Sequence, residues 1–340
     1  MKKISLLILT TFIIMSNIYA QISDFEFMVE QAIKAPSGHN TQPWLFKINE
    51  SNIEIHPNFD KSLTVVDFDN RELFITLGCA TENICIAASH KGYESSVSVN
   101  NSGVIKINLT KQDLINSNHL FKQIAIRQTN RSIYNGNMIP EDTIQMLKSI
   151  NIEPNINMYF YKNGTQEFDS IANYVFRGNT IQMQDKAFKE ELRNWMRYNK
   201  KHQDKTNDGL SYAVFGAPNL PLFIVKPIMA KAINEKSQNK GDKKKIESSS
   251  HLVLFTTKGN TIEEWVSLGR TLERFLLKST ESGIINAYLN QPNEIRYLSI
   301  EMAKTLNIAN EYPTILLRIG YGNKMPYSKR KDIKDVILNN

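Results

Sequence analysis

Two stretches of the chain carry the same hydrophobic rhythm. Leu73, Leu77, Ala80, Ile84 and Ala87 recur at spacings of four and three, which predicts a helix with one apolar face. Asp69-Asn70-Arg71-Glu72 reads as its cap and Gly92 as its stop. Trp265, Leu268, Leu272, Phe275 and Leu276 repeat the pattern, capped by Thr261 to Glu264 and ended by Gly283. Strands are predicted at Leu45–Ile48 and Ile53–His56 around a polar turn. Others are predicted at Val104–Leu109, Met158–Tyr161, Leu252–Thr256, Ile284–Leu289 and Thr314–Arg318. Shorter helices are expected from Ser23 up to Pro36, around Leu120 and Ile124, and from Pro140 onward.

The two long helices rhyme in detail. Leu77-Gly78-Cys79-Ala80-Thr81-Glu82 matches Leu268-Gly269-Arg270-Thr271-Leu272-Glu273 in its Leu-Gly pair and its Glu, and each helix runs through Gly into a strand. That predicts two pseudo-repeated halves, residues 21–115 and 116–335. Residues 165–250 interrupt the second half. They are helical and polar in patches, with a turn at Asp208-Gly209 and a Pro-rich stretch at 217–221, and read as an insertion over the core.

Composition then narrows the class. Hydrophobic residues at 41% and charged residues at 22% place the 340-residue chain among globular proteins with a real core. The net charge of +7 is concentrated in Lys240, Lys243, Lys244 and Lys245 and in Lys329, Arg330 and Lys331. No basic stripe is interleaved with aromatics, so nucleic acid is not an expected partner, and the Lys240–Lys245 run reads as solvated. Cys79 and Cys85 fall in one helix, about 9 Å apart along its axis, too far to pair. At the N-terminus, Lys2 and Lys3 precede an apolar run from Ile4 to Met15 and a polar stretch ending at Ala20. This order predicts a signal peptide over 1–20 and an exported, periplasmic protein. The run is short for a span, so membrane contact is expected only through an uncleaved leader.

Several chemistries lack their motifs. The chain has no GxSxG, no P-loop, no HExxH and no complete GxGxxG, and its six histidines show no metal-ligand spacing. Two groups remain. Arg127-Gln128-Thr129-Asn130-Arg131 sets two forked cations around a hydroxyl, which suits either a phosphate or a structural ion pair. The turn from Pro36 to Trp44 offers Ser37, His39, Asn40 and Gln42 on a Pro-pinned loop, fit to meet a heteroaromatic edge or to cover the core.

Ala35-Pro36-Ser37-Gly38-His39-Asn40-Thr41-Gln42-Pro43-Trp44 resembles the APSxxNxQPW signature of FMN-dependent nitroreductases. Arg127 to Arg131 resembles their Arg-x-Ser-x-Arg motif. The stretch from Ser282 to Ala287, followed by Asn290 and Gln291, sits where that family has its flavin N5 loop. Pro313 to Gly320, then Lys329 and Arg330, is similar to the closing strand and basic tail. The Arg motif follows the early turn instead of preceding it. That order resembles the Acg-like subgroup, in which one chain imitates the usual dimer. The resemblance implies an α+β fold with mostly antiparallel sheets flanked by helices and an FMN site at an internal seam. It implies that Arg127, Thr129, Lys329 and Arg330 hold phosphate and ribityl, and that Arg131 faces the pyrimidine. Ser37, His39, Asn40 and Gln42 would meet the ring edge or ribityl, and amides near Asn290 and Gln291 would address N5. The implied activity is hydride transfer from NAD(P)H to nitro or quinone-type acceptors, in a monomer or homodimer. The long insertion also resembles a lid, which implies the alternative of an exported flavin-binding protein without turnover. A third reading is a non-flavin module for an anionic metabolite.

Overall fold

The computed structural model describes residues 21–338; the leader expected over residues 1–20 lies outside them. The first half runs from a helix over residues 21–32 (α1) into β1 (Trp44–Ile48), β2 (Asn52–Pro57), α2 (Arg71–His90), β3 (Tyr93–Val99) and β4 (Ile105–Lys111). Its four strands form an antiparallel sheet in the order β1-β2-β4-β3. The second half opens with α3 (Phe121–Ile124), α4 (Glu141–Lys148) and β5 (Ile156–Lys162). After the insertion it continues through β8 (His251–Thr257), α10 (Ile262–Glu281), β9 (Ile285–Tyr288), α11 (Arg296–Thr305) and β10 (Tyr312–Gly320). Its antiparallel sheet has the order β5-β8-β10-β9. With the insertion removed, the two halves share the strand order and a twenty-residue helix between their second and third strands; α11, between β9 and β10, has no counterpart in the first half. The fold is α+β, with antiparallel sheets flanked by helices.

The insertion comprises α5 (Gln166–Gln184), α6 (Lys186–Trp195), β6 (Met196–Arg197), α7 (Lys200–Thr206), β7 (Leu210–Ser211), α8 (Leu222–Ala232) and α9 (Glu235–Glu247). β6 and β7 pair in parallel over two residues.

α2 and α10 cross at the centre of the molecule. A Cβ on Gly78 would lie 2.2 Å from the Val266 carbonyl oxygen, and one on Gly269 would lie 2.1 Å from that of Ile75. Only glycine permits backbones so close. Each helix leaves through a glycine in the left-handed region, Gly92 at φ 74° and Gly283 at φ 71°, where other residues are strained. Next to the crossing, buried Glu82 accepts from Arg274 Nε at 2.7 Å and from Arg270 Nε at 3.1 Å.

Three local expectations change. Ser23 to Glu26 lies inside α1, because the helix already includes residues 21 and 22. Asn70 sits in the left-handed region with no side-chain cap; Asp67 caps α2 instead, accepting from the Glu72 and Leu73 amides at 2.9 Å each. The helix around Leu120 shrinks to Phe121–Ile124, and Ile126 is 40% exposed.

Candidate functional site

A cavity of about 470 Å³ lies against the crossing helices. Ile75, Thr76 and Cys79 of α2 and Leu272 of α10 form part of its wall, and β9 adds Ala287 and Tyr288. The turn after α1 contributes Pro36, Ser37, Gly38 and His39; the arginine motif contributes Thr129 and Arg131; the loop after β9 contributes Asn290 and Gln291. Six of the expected site residues, from three distant parts of the chain, therefore line one space.

The early turn is strained and held from outside. His39, Asn40 and Gln42 all have positive φ, at 47°, 58° and 55°. Such angles cost non-glycine residues energy and persist only where neighbours enforce them. Asn40 Nδ2 donates to the Gly209 carbonyl at 3.2 Å and to that of Lys329 at 3.1 Å, while its Oδ1 accepts from Arg330 Nη1 at 2.7 Å. Gln42 Nε2 donates to the Asn207 carbonyl at 2.8 Å, and its Oε1 accepts from the Lys331 amide at 2.9 Å. Both side chains are buried, and neither lines the cavity. They pin the turn to the insertion and to the C-terminal tail. Ser37 Oγ accepts from the Gln42 amide at 3.2 Å, which fixes the hydroxyl beside the cavity and leaves its hydrogen to donate.

The arginine motif is held by β10 and β9. Arg318 Nη2 donates to the Ser132 carbonyl at 2.8 Å and to that of Asn130 at 3.2 Å, and its guanidinium stacks 3.9 Å from the Tyr134 ring. The Asn130 amide donates to the Asn286 carbonyl at 2.7 Å. This leaves Arg131 at the cavity, 5.6 Å from the Phe215 ring and with no carboxylate partner among the described residues. Burial, with the Arg318 charge adding to it, pushes Arg131 down to about 10. Burial first, and the Arg131 charge second, push His39 down to about 4, so its imidazole is neutral at physiological pH.

Arg127 and Arg330 stand on the other side of the same turn. Arg127 is buried, donates to the Lys34 carbonyl at 2.7 Å and lies 3.5 Å from Glu273. Arg330 Nη2 donates to the Ala35 carbonyl at 3.2 Å. Burial and the neighbouring Arg127 push Arg330 down to about 9. Among the described residues, Arg127 Nε and Nη1 and Arg330 Nε have no hydrogen-bond acceptor. Neither arginine lines the cavity, and the Lys329 side chain is exposed.

The sequence reading missed an acidic pole. Glu72 and Glu294 both line the cavity. Asn290 Nδ2 donates to Glu72 Oε1 at 2.9 Å, and Gln182 Nε2 donates to Glu294. Burial and the facing Glu294 push Glu72 up to about 8; burial pushes Glu294 up to about 7. Asp242 on α9 is a hub, accepting from Asn179 at 3.1 Å, Gln238 at 2.8 Å and Gln291 at 3.3 Å. Asn290 is spent on Glu72 and on the Leu316 amide, whose hydrogen its Oδ1 accepts at 2.8 Å. Among the described residues no cluster of His, Cys, Asp and Glu could hold a metal ion.

No family model matches the chain. A Mycobacterium tuberculosis protein provisionally named NAD(P)H nitroreductase, in strains CDC 1551 and H37Rv, is 35% identical over 66 residues, covering 19% of this chain and 19% of the relative. Among solved structures, the FMN-dependent nitroreductase NfnB of Mycobacterium smegmatis in complex with NADPH aligns with 11% identity and a TM-score of 0.42, over 64% of this chain and 96% of that one. Iodotyrosine deiodinase bound to FMN and 3-iodo-L-tyrosine aligns with 15% identity and a TM-score of 0.40, over 63% and 95%. A BluB-like flavoprotein of Clostridium difficile aligns with 18% identity and a TM-score of 0.40, over 66% and 99%.

Proposed function

We propose that the cavity binds FMN and that the chain is a nitroreductase-like oxidoreductase in which one polypeptide imitates a two-subunit site. One observation carries this reading: Ser37 and His39 from one half and Thr129 and Arg131 from the other line the same cavity, with Arg131 lacking an acidic partner among the described residues. The residues fit the cofactor. Arg131 offers an unneutralised cation to the ring. Arg127 and Arg330 add positive charge behind the turn without lining the cavity, Arg127 lying 3.5 Å from Glu273. When bound, FMN supplies hydride transfer from NAD(P)H to nitro or quinone-type acceptors.

The chain's own groups set the conditions for that chemistry. Arg131 attracts negative charge on the pyrimidine end, and the attraction is stronger where water is excluded. Neutral His39 gives a hydrogen bond without adding a second positive charge. Ser37 donates from a fixed oxygen. The Asn40 and Gln42 bonds hold the strained turn in place, and Asn290 orients the loop after β9. The leader expected over residues 1–20 makes export and a periplasmic location part of the proposal. Purified protein tests it: a yellow chain with tightly held FMN supports the reading, and a colourless chain that fails to take up FMN rejects it.

A second reading is favoured by the roof. Asn179, Gln182, Phe188, Met196 and Phe215 of the insertion line the cavity. A Cβ on Gly178 of α5 would lie 2.8 Å from Gln291 Cβ, so the roof sits directly on the loop after β9. Such a cover supports an exported flavin-binding or sequestering protein in which nicotinamide cannot reach the ring. Stopped-flow mixing of the FMN-loaded chain with NAD(P)H separates the two: rapid bleaching of the flavin band rejects sequestration.

A further inference from the structure

The helix α8 breaks the usual rule for exposed helices. Its sequence, Leu222-Phe223-Ile224-Val225-Lys226-Pro227-Ile228-Met229-Ala230-Lys231-Ala232, is apolar apart from two lysines. Yet Val225 is its only buried residue. Phe223 is 80% exposed and Ile228 57%, with Leu222 and Ile224 exposed beside them. An amphipathic surface helix turns polar residues outward; this one turns out Phe223, Ile224, Pro227 and Ile228. The inner side is already used, because Met229, Ala232 and Ile233 line the cavity. No described element covers the outer side.

The charge that follows the patch along the chain suggests what would cover it. Residues 222–247 contain seven lysines against three acids. Lys226 and Lys231 are exposed on α8. The chain then runs directly into α9, where Lys236, Lys240, Lys243 and Lys244 are exposed. Lys243 pairs with Glu247 at 3.8 Å; Lys236, Lys240 and Lys244 have no carboxylate partner among the described residues. A second copy of the chain would bring like charges together. A surface that is apolar at one level and negative at the next meets both features, with aromatic and aliphatic side chains in the acyl boundary and lysines at the headgroups.

We infer that α8, supported by the lysines of α9, docks on an anionic lipid bilayer surface. Docking places the cavity roof at the membrane interface, because the same helix forms part of the roof. The inference is independent of the flavin reading. It also differs from the expected membrane contact through the leader alone. No described helix is long and apolar enough to cross a membrane.

Flotation of the full chain with vesicles tests the inference. Binding is expected with phosphatidylglycerol mixed into phosphatidylcholine, weakened by salt, and at most weak with phosphatidylcholine alone. Phe223→Ser/Ile228→Ser should reduce the bound fraction about tenfold or more, since it removes buried apolar area. Lys236→Glu/Lys240→Glu/Lys244→Glu should abolish the preference for the anionic lipid. All these positions are exposed, so melting temperatures should stay unchanged. Binding that survives both sets of substitutions overturns the inference and points to the apolar run of residues 4–15. Equal binding to both vesicle types also overturns it. So does self-association, by light scattering, that the apolar substitutions abolish in a chain that ignores vesicles.

Discussion

A Cβ placed on Gly78 would come within 2.9 Å of Gly269 Cα, and one on Gly269 within 2.8 Å of Gly78 Cα. The two glycines occupy equivalent places in two twenty-residue helices, each followed by a strand of an equivalent sheet. Their contact sets the distance between the halves, and with it the cavity beside Ile75, Cys79 and Leu272. Gly78→Ala should cost about 3 kcal/mol, because the new methyl meets backbone that cannot turn aside. Gly241→Ala, in α9 with nothing within 4 Å, is the control. It should be neutral or stabilise by up to about 1 kcal/mol through helix propensity. Chemical denaturation of both variants checks the pair.

Asn40→Ala should loosen the insertion's hold on the early turn, leaving the Gln42–Asn207 bond and the backbone bond from the Gly209 amide in place. It removes bonds to Gly209 and Lys329 and leaves the Arg330 guanidinium without its 2.7 Å acceptor. The expected loss is about 2–3 kcal/mol, mostly from stranding buried partners. Limited proteolysis should show faster cleavage around residues 207–216, ahead of any cleavage within α2 or α10.

Much of this architecture was legible because it rests on periodicity and on glycine. The Leu-Gly rhyme in α2 and α10 reads in the sequence as a sign of repeated halves; the structure shows its glycines to be the crossing point, where backbone contact admits no other residue. The turn at 36–44 and the motif at 127–131 were legible as polar groups on stiff loops, and six of their number and of the loop after β9 reach the cavity. The rest was hidden for physical reasons. Asn40 and Gln42 carry the right chemistry for a ring edge, but their carboxamides are consumed by Gly209, Asn207 and the tail, partners set by tertiary contact. Glu72 looked like a helix cap; Asp67 takes that task and frees Glu72 for the cavity. Asp242 lay in a lysine run that read as solvated, yet it is buried and joins α9 to α5 and Gln291.

Stability should fall as the solution becomes more alkaline. Burial raises Glu72 to about 8 and Asp67, Glu294 and Glu273 to about 7, so between the ordinary carboxylate range and pH 8 the folded chain binds more protons than the unfolded one. The stabilisation is fully present at acid pH and is lost as pH rises through 7 to 8. His39 and His251, both lowered to about 4, act oppositely, adding stability as pH rises from 4 to 6.5. The ligand-free chain should therefore melt higher near pH 6 than near pH 8.5. Glu72→Gln should flatten that slope, since an amide keeps the shape of the protonated acid without titrating. Melting curves across the range, for both proteins, read the difference.

The central claim is that one cofactor lies between the early turn and the arginine motif, with Arg131 as its free cation. FMN titration of the purified chain, followed by quenching of flavin fluorescence, tests it most directly. The account predicts one FMN per chain, with Arg131→Ala weakening binding about tenfold or more while leaving the melting temperature of the ligand-free protein unchanged. Failure of the wild-type chain to quench FMN, or an Arg131→Ala chain that binds it with unaltered affinity, would contradict the account.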